Sequence, residues 1–304
     1  MIDRQARDLP LDAHLHTDLS PDSDVPIDVY AEQAAERGIA ELGITDHVDF
    51  DPTAPAYSFT TYAERQRSVR DAAERWAGRG VVIRFGVEIT WDRRWADDIR
   101  DHLRRHAYDF VIGSVHVYAE SPYAAANVRG WVTGRPLTEV MRPYFDEVEG
   151  AARSGLFDAL GHLDFVKRYL MPYVTPADLA RAPELYEPIL RALVETGTAL
   201  EVNTSGLRQA ADETYPSAAI VARYRELGGR AVTIGSDAHR AEAFAWGLVD
   251  GYEIAATAGF TTLAFRRGGD RVELGLGAVS HTRPSSGAGP PADRAPNAAA
   301  GRSL

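Results

Sequence analysis

Side chains that commonly bind metal ions recur along this chain where short apolar runs end. Eight of them occupy such positions: His14, His16, His47, Glu88, His116, His162, Asp237 and His239. The chain has no cysteine, so any metal site must be built from imidazole and carboxylate groups. These ligand types suit Zn, Mn or Fe. The pattern predicts a multinuclear metal site and leaves the identity of the metal open.

Two motifs place possible ligands two residues apart. His14 and His16 flank Leu15, and Asp237 and His239 flank Ala238. In an extended strand, residues i and i+2 point to the same face, so each pair could hold one ion. Taken alone, either pair is equally compatible with polar side chains that only hydrogen-bond to their neighbours.

Glu88 ends the apolar run VVIRFGVE at 81–88. Burial of a carboxylate there is costly unless its charge is paired or bound to a cation. A carboxylate can bridge two metal ions, which a neutral imidazole cannot do. The alternative for Glu88 is a salt bridge to an arginine of the fold, and the other seven groups together favour the metal site.

Strand and helix patterns alternate along the chain and must position these residues. Apolar runs predict strands at 9–13, 39–45, 81–87, 110–115, 157–161, 199–203, 231–236 and 261–266. Helices are predicted at 61–77, 94–105, 138–153, 184–196, 216–227 and 241–258, and a first helix between a cap at Ser23 or Asp24 and Gly38. The C-terminal ends of parallel strands converge at the mouth of an α/β barrel. An open doubly wound sheet would not bring so many strand ends to one point, so we expect a barrel.

Length, composition and charge narrow the class of protein. The 304 residues suffice for one large domain, which we expect over 1–278. From 279 to 304 the chain is rich in Ser, Pro, Gly and Ala, which predicts a disordered tail. The net charge of −11 argues against a basic nucleic-acid surface. The N-terminal residues contain no apolar stretch long enough for a signal peptide or a membrane span, so we expect a cytoplasmic enzyme without a membrane partner.

The ordered series of motifs resembles the polymerase and histidinol phosphatase (PHP) superfamily. The motifs are HLH at 14–16, ITDH at 44–47, the Glu88 strand, SVH at 114–116, GHLD at 161–164 and GSDAH at 235–239. Within that superfamily, GHLDFVKRY and EVNTSGLR look like the histidinol-phosphate phosphatase branch. The resemblance runs from about Leu11 to Leu274. It implies a distorted seven-stranded (β/α) barrel of the TIM-like PHP type that holds two or three divalent ions.

The resemblance also implies which residues hold each ion. The first ion is assigned to His14, His16, Glu88 and Asp237. The second is assigned to Glu88, His116 and His162, and the third to His47 and His239. Many relatives have a further histidine where this chain has Asp22, and a carboxylate can replace imidazole there.

The implied reaction is hydrolysis of a small phosphate monoester, L-histidinol phosphate in histidine biosynthesis, by a hydroxide that bridges two ions about 3.5–4 Å apart. Glu88 and Asp237 would be catalytic as ligands, and Arg208 would stabilise the transition state and bind the phosphate. Further candidate phosphate ligands are Arg168 and Lys167, and each of the three cations has an alternative as a charge on the barrel rim. Candidate contacts for the amine and imidazole of the substrate are Asp164, Trp91, Tyr118 and Tyr169.

Two alternative functions remain. One is a PHP phosphoesterase of another specificity, including a nuclease, and the other is a metal-binding module without activity. The sequence does not fix the oligomeric state.

Overall fold

The computed structural model describes residues 8–171, 173–267 and 270–276. The predicted disordered tail at 279–304 lies outside these residues. Within the described part of the chain, no helix is both long and apolar enough to cross a membrane.

A parallel sheet of eight described strands wraps into a nearly closed barrel. The strands are β1 (Leu11–Leu15), β2 (Glu41–Ile44), β3 (His47–Val48), β4 (Val82–Thr90), β5 (Phe110–Ser114), β6 (Ala159–Leu160), β7 (Ala199–Asn203) and β8 (Val232–Gly235). Their order is β1-β2-β4-β5-β6-β7-β8, and β3 pairs with β4. At the C-terminal ends the edges meet, because the His16 amide donates to the Ala238 carbonyl at 3.0 Å and the Asp237 amide to the His14 carbonyl at 2.9 Å. The predicted distorted seven-stranded barrel is confirmed.

Ten α-helices are found in the described residues and connect or flank the strands. They are α1 (Ile27–Arg37), α2 (Tyr62–Trp76), α3 (Ala96–Arg105), α4 (Val128–Val132), α5 (Leu137–Ser154), α6 (Lys167–Leu170), α7 (Pro176–Ala180), α8 (Pro183–Thr196), α9 (Ala218–Glu226) and α10 (Leu248–Thr257). Gly38 ends α1 in the left-handed conformation with φ of 70°, as its position in the sequence predicts. Thr61 and Glu64 form a capping box at the start of α2.

Two predicted helix starts are wrong. Helix α1 begins at Ile27, with Pro26 as its N-cap, because the Ser23 hydroxyl instead donates to the His16 carbonyl at 3.0 Å. Helix α10 begins at Leu248 rather than near 241. Ala245 and Gly247 have φ of 56° and 71°, which interrupts helical geometry before that point.

The last predicted barrel strand is also wrong. Residues Thr262–Arg267 form β9, which pairs antiparallel with β10 (Asp270–Gly275) in a separate two-stranded sheet. The Phe265 ring lies 4.6 Å from the ring of Phe110, the first residue of β5. Arg266 forms an ion pair of 2.6 Å with Asp158, just before β6. This hairpin therefore packs at the N-terminal ends of the strands, opposite the end that carries the possible ligands.

The inner strands are buried along their whole length. Every residue of β1, β2, β5, β7 and β8 is buried, which explains why these strands appear in the sequence as continuous apolar runs. Three carboxylates interrupt this apolar interior: Asp12 on β1, Glu41 on β2 and Glu201 on β7. Each of them needs a partner, because an isolated buried charge is strongly disfavoured.

Close packing of β1 against β2 predicts that Gly43→Ala destabilises the barrel. A Cβ at this position would lie 2.6 Å from the Ala13 carbonyl oxygen, so the backbone must shift. We expect the free energy of unfolding to fall by about 1–3 kcal/mol in denaturant titrations. Gly130→Ala is the control, because a Cβ added there would meet no atom of the described residues outside its own helix within 4 Å. Equal stabilities of the two variants would contradict the packing argument.

Candidate metal centre

All eight possible ligands lie at the C-terminal mouth of the barrel. Three are strand residues: His14 on β1, His47 on β3 and Glu88 on β4. The other five follow a strand end by one to four residues: His16, His116, His162, Asp237 and His239. Strand ends that are far apart in sequence thus deliver their side chains to one pocket.

The Glu88 carboxylate lies at the centre of this pocket and is only 1 % exposed. Its two oxygens lie 2.8–3.4 Å from ring nitrogens of five histidines: His14, His16, His47, His116 and His162. Oε2 has no hydrogen-bond partner among the described residues. A buried carboxylate oxygen in these surroundings requires positive charge nearby.

Asp237 forms a second carboxylate edge of the pocket. Its Oδ1 lies 3.4 Å from Nε2 of His16, 3.7 Å from Nε2 of His14 and 3.4 Å from Nδ1 of His239. The backbone of Asp237 is left-handed, with φ of 53°, which turns the chain directly after β8 and aims the carboxylate inward. Nε2 of His14 and Nε2 of His16 are 3.0 Å apart and approach the same region.

Asp22 joins His47 and His239 on the more exposed side. Its Oδ2 lies 3.3 Å from Nε2 of His47 and 3.2 Å from Nε2 of His239. The side chains of Asp22 and His239 are 31 % and 25 % exposed, whereas those of His14 and His16 are fully buried. The pocket therefore opens to solvent at the edge formed by Asp22 and His239.

The electrostatics of the pocket oppose the usual effect of burial. Burial alone would raise the pKa of Glu88, but the imidazoles of His14, His116 and His47 outweigh it and hold that pKa well below its ordinary value. Burial would likewise lower the pKa of His47, but the carboxylates of Asp22 and Glu88 raise it well above its usual range. Without another cation, the carboxylates of Asp22 and Glu88 thus favour the protonated form of His47.

The donor set fits divalent ions. Three groups of side chains bring one ligand atom each to within 4.8 Å of one another: His16 with Asp22, His47 and His239; His14 with His16 and Asp237; and His47 with Glu88 and His116. Divalent ions would supply positive charge next to Glu88 Oε2, which has no hydrogen-bond partner among the described residues. The imidazoles could then be neutral, and each could point a nitrogen lone pair at an ion.

Comparison with known proteins places this pocket in a family. The PHP domain profile matches residues 12–205. The chain belongs to the PHP family. Two curated relatives are "Probable histidinol-phosphatase" of Deinococcus radiodurans, 30% identical over 258 residues, and "Histidinol-phosphatase" of Lactococcus lactis subsp. lactis, 28% identical over 272 residues. These alignments each cover 84% of this chain, and 96% and 93% of the respective relatives.

A solved structure shares the PHP fold of this chain. It is histidinol phosphate phosphatase from Lactococcus lactis subsp. lactis, complexed with Zn, L-histidinol and phosphate. The TM-score is 0.75 at 24% identity, over 86% of this chain and 98% of that one. This likeness shows that the two proteins share the barrel fold.

The predicted phosphate ligands of this PHP chain occupy different environments. Arg208 is 4 % exposed, and its Nη1 and Nη2 donate to the carbonyls of Ser236 and Asp237 at 2.8 and 2.7 Å. Arg168 is half-buried, and its guanidinium lies 5.7 Å from the centroid of the Phe165 ring. That ring lies 4.7 Å from the ring of His162, so Arg168 is near the pocket.

Lys167 pairs with two carboxylates. Its side chain is 1 % exposed, and its ammonium contacts Asp164 at 2.8 Å and also Glu213. Its charge is therefore already paired in this structure, and it connects two loops. Asp164, the candidate partner for a substrate amine, is fully buried against Lys167.

The aromatic candidates also serve packing. Trp91 is 6 % exposed and its ring meets Phe157 edge-on at 6.0 Å. The Tyr118 hydroxyl donates to Asp49 at 2.9 Å. Tyr169 packs edge-on against Phe165 at 5.7 Å, which leaves it beside the pocket.

Sequence reasoning missed the buried carboxylates that support the ligands. Asp46 accepts hydrogen bonds from the Thr17 amide at 2.6 Å and the Ser20 hydroxyl at 2.9 Å, which holds the loop after His16. Asp12 accepts from the Ser236 amide and hydroxyl at 2.9 and 2.6 Å. Glu201 accepts from Nδ1 of His14 at 2.6 Å. The available signal was a charged residue inside an otherwise apolar strand, as in TALEVN at 198–203.

The buried negative charge of Glu88 predicts that divalent ions stabilise the folded protein. We expect chelator to lower Tm and Zn²⁺ to restore it, with about 2.7 kcal/mol of added stability at a hundredfold excess over Kd. Glu88→Gln should lose most of this response, measured by thermal unfolding. Glu41→Gln is the matched control, because Glu41 is a buried strand carboxylate that pairs with Arg84 at 2.6 Å. A full zinc response in Glu88→Gln would count against a central role for this carboxylate.

Proposed function

We propose that this PHP protein is a metal-dependent phosphomonoesterase that hydrolyses L-histidinol phosphate to L-histidinol and phosphate. The observation that carries the proposal is the single buried pocket in which Glu88 meets five imidazoles. The names of the curated relatives support the substrate. So does the Lactococcus lactis enzyme of the same fold, which is complexed with both products of that reaction.

Two or three divalent ions would occupy the pocket. His14, His16, Glu88 and Asp237 would hold the first, Glu88, His116 and His162 the second, and Asp22, His47 and His239 the third. Zinc is the first candidate, since it accompanies the related enzyme, and Mn and Fe suit the same ligands. Bound ions of this kind supply Lewis acidity to phosphoryl oxygens and lower the pKa of a coordinated water towards neutrality.

His47 would hold the third ion, and its other ring nitrogen faces Glu88, a proposed ligand of the first two. Its Nδ1 lies 3.0 Å from Glu88 Oε2, while its Nε2 lies 3.3 Å from Asp22 Oδ2. This explains why His47 belongs to two of the three possible ligand groups. Asp22 would give the third ion a carboxylate in place of imidazole, which favours a harder ion there.

Substrate would enter at the edge formed by Asp22 and His239, the more exposed side of the pocket. Arg168 would bind the phosphate, because it lies beside Phe165 and His162 and no ion pair of its guanidinium is found among the described residues. A guanidinium there would stabilise the charge that builds on the equatorial oxygens in the transition state.

Arg208 would act chiefly by positioning Asp237. Its two hydrogen bonds to the carbonyls of Ser236 and Asp237 hold the left-handed turn after β8. Its positive charge next to Asp237 would add to the attraction for phosphate. Both the metal centre and the anion site would thus depend on Arg208.

Phosphate release tests the substrate directly. We expect kcat/KM for L-histidinol phosphate to exceed, by at least about tenfold (about 1.4 kcal/mol in transition-state binding), the values for sugar phosphates, nucleotides, an aryl phosphate and short single-stranded DNA. Chelator should abolish the activity and metal should restore it. Equal rates across the panel would indicate a phosphoesterase of another specificity, and a metal-loaded protein inert to every ester would indicate a binding module.

The two arginines should differ in the kind of defect they cause. Arg168→Ala should lower kcat/KM by about 10²–10³-fold at unchanged zinc content, because only a transition-state contact is lost. Arg208→Ala should lower both activity and zinc affinity, since Asp237 loses its support. Arg191→Ala is the control, because this arginine is 56 % exposed on α8. Normal kcat/KM in Arg168→Ala would remove that residue from the phosphate site.

A further inference from the structure

Glu201 on β7 is fully buried behind the proposed metal centre. Its Oε1 accepts a hydrogen bond from Nδ1 of His14 at 2.6 Å. Its Oε2 accepts from the backbone amide of His162 at 2.8 Å and from Nδ2 of Asn203 at 3.2 Å. Asn203 Nδ2 also donates to Oδ2 of Asp237 at 3.2 Å. One carboxylate therefore connects three of the candidate ligands.

The hydrogen bond to Glu201 determines which ring nitrogen of His14 carries the proton and which one presents a lone pair to the pocket. An ionised carboxylate only accepts hydrogen bonds, so Nδ1 of His14 must carry the proton in this pair. In a neutral imidazole the other nitrogen is then an acceptor. That nitrogen, Nε2, lies 3.4 Å from Glu88 Oε2 and 3.0 Å from Nε2 of His16, in the centre of the pocket.

The neighbouring strands leave room for this carboxylate. A Cβ at Gly235 on β8 would lie 2.9 Å from Glu201 Oε1 and would overlap the His14 side chain. A Cβ at Gly161, after β6, would overlap the Ser114 hydroxyl and lie in ordinary contact with Glu201 Oε2 at 3.5 Å. On the β8 side, glycine is thus the residue that leaves room for Glu201 to reach His14.

We propose that Glu201 is the positioning residue of the metal centre. It fixes the tautomer of His14, holds the backbone at His162 and, through Asn203, orients Asp237. This inference rests on the metal centre proposed above. It adds a residue that lies beneath the ligands and is not itself a ligand, because its oxygens are already occupied by the donors of the three other residues.

Glu201→Gln distinguishes positioning by the carboxylate from a requirement for a side chain of this size. Glutamine has the shape of glutamate, but one of its two terminal groups is a donor. If its oxygen faces the His162 amide and Asn203, its NH₂ faces Nδ1 of His14 and favours the tautomer with a proton on Nε2. If its oxygen faces His14, its NH₂ meets two donors. Either orientation disturbs the set of ligands while the packing volume stays the same.

The experiment measures zinc affinity by titration against a competing chelator, using the full chain and Zn²⁺ alone. We expect Glu201→Gln to remain folded by circular dichroism and to bind at least one zinc ion about 10–100-fold more weakly than wild type. Glu41→Gln, the matched buried carboxylate that pairs with Arg84, should bind as wild type does. Unchanged affinity in Glu201→Gln, or an equal loss in Glu41→Gln, would overturn the proposal.

A second measurement needs no variant that could fail to fold. In ¹⁵N-labelled, zinc-loaded wild type, NMR correlations of the His14 ring should place the proton on Nδ1 and none on Nε2. A proton on Nε2 would overturn the inference. Zinc binding without hydrolysis of L-histidinol phosphate would remove the proposed substrate and leave Glu201 in its role. Absence of zinc binding by wild type would remove the metal centre and this inference together.

Discussion

The site depends on compensation of the negative charge on one buried carboxylate, that of Glu88. Glu88 lies at the centre of the barrel mouth, and its ion-pair partners among the described residues are all histidines. Since arginine or lysine would neutralise this charge permanently, a shell of imidazoles leaves it available to a metal ion. The barrel satisfies this requirement because its parallel strands deliver side chains to a single axis from sequence positions 14 to 239.

A second set of buried carboxylates holds the possible metal ligands in place. Asp12, Asp46 and Glu201 lie behind or beside ligand-bearing segments and accept hydrogen bonds from them. Burial outweighs the hydrogen bonds from Ser236 and raises the pKa of Asp12 to about 6. Asp12 also connects β1 to the end of β8, where the barrel edges meet. The same contacts therefore close the barrel and align its ligands.

Local patterns in the sequence predicted which side chains meet at the barrel mouth, because each one follows an apolar run. They predicted the supporting residues poorly, since Glu201 is recognisable only as a charge inside a buried strand. The apolar content of 261–266 predicts a barrel strand, whereas the structure places these residues in a separate antiparallel hairpin. Their burial alternates, with Leu263 and Phe265 inward and Ala264 partly exposed, as in a half-buried antiparallel strand. The pairing of Lys167 could not be predicted, because its partners Asp164 and Glu213 come from separate segments and no local pattern reveals the second.

The pocket supplies the donor atoms for the proposed metal chemistry, and the loops around it carry the candidate contacts for a substrate. Arg168 and Lys167 begin the short helix α6, and Arg208 ends the turn Ser205–Arg208. The buried Lys167 joins α6 to Glu213, and a Cβ on Gly206 would overlap the Glu213 carbonyl, so this loop also packs against the turn that carries Arg208. The ion pair between Lys167 and Glu213 thus helps to fix the spacing of the two candidate anion-binding arginines.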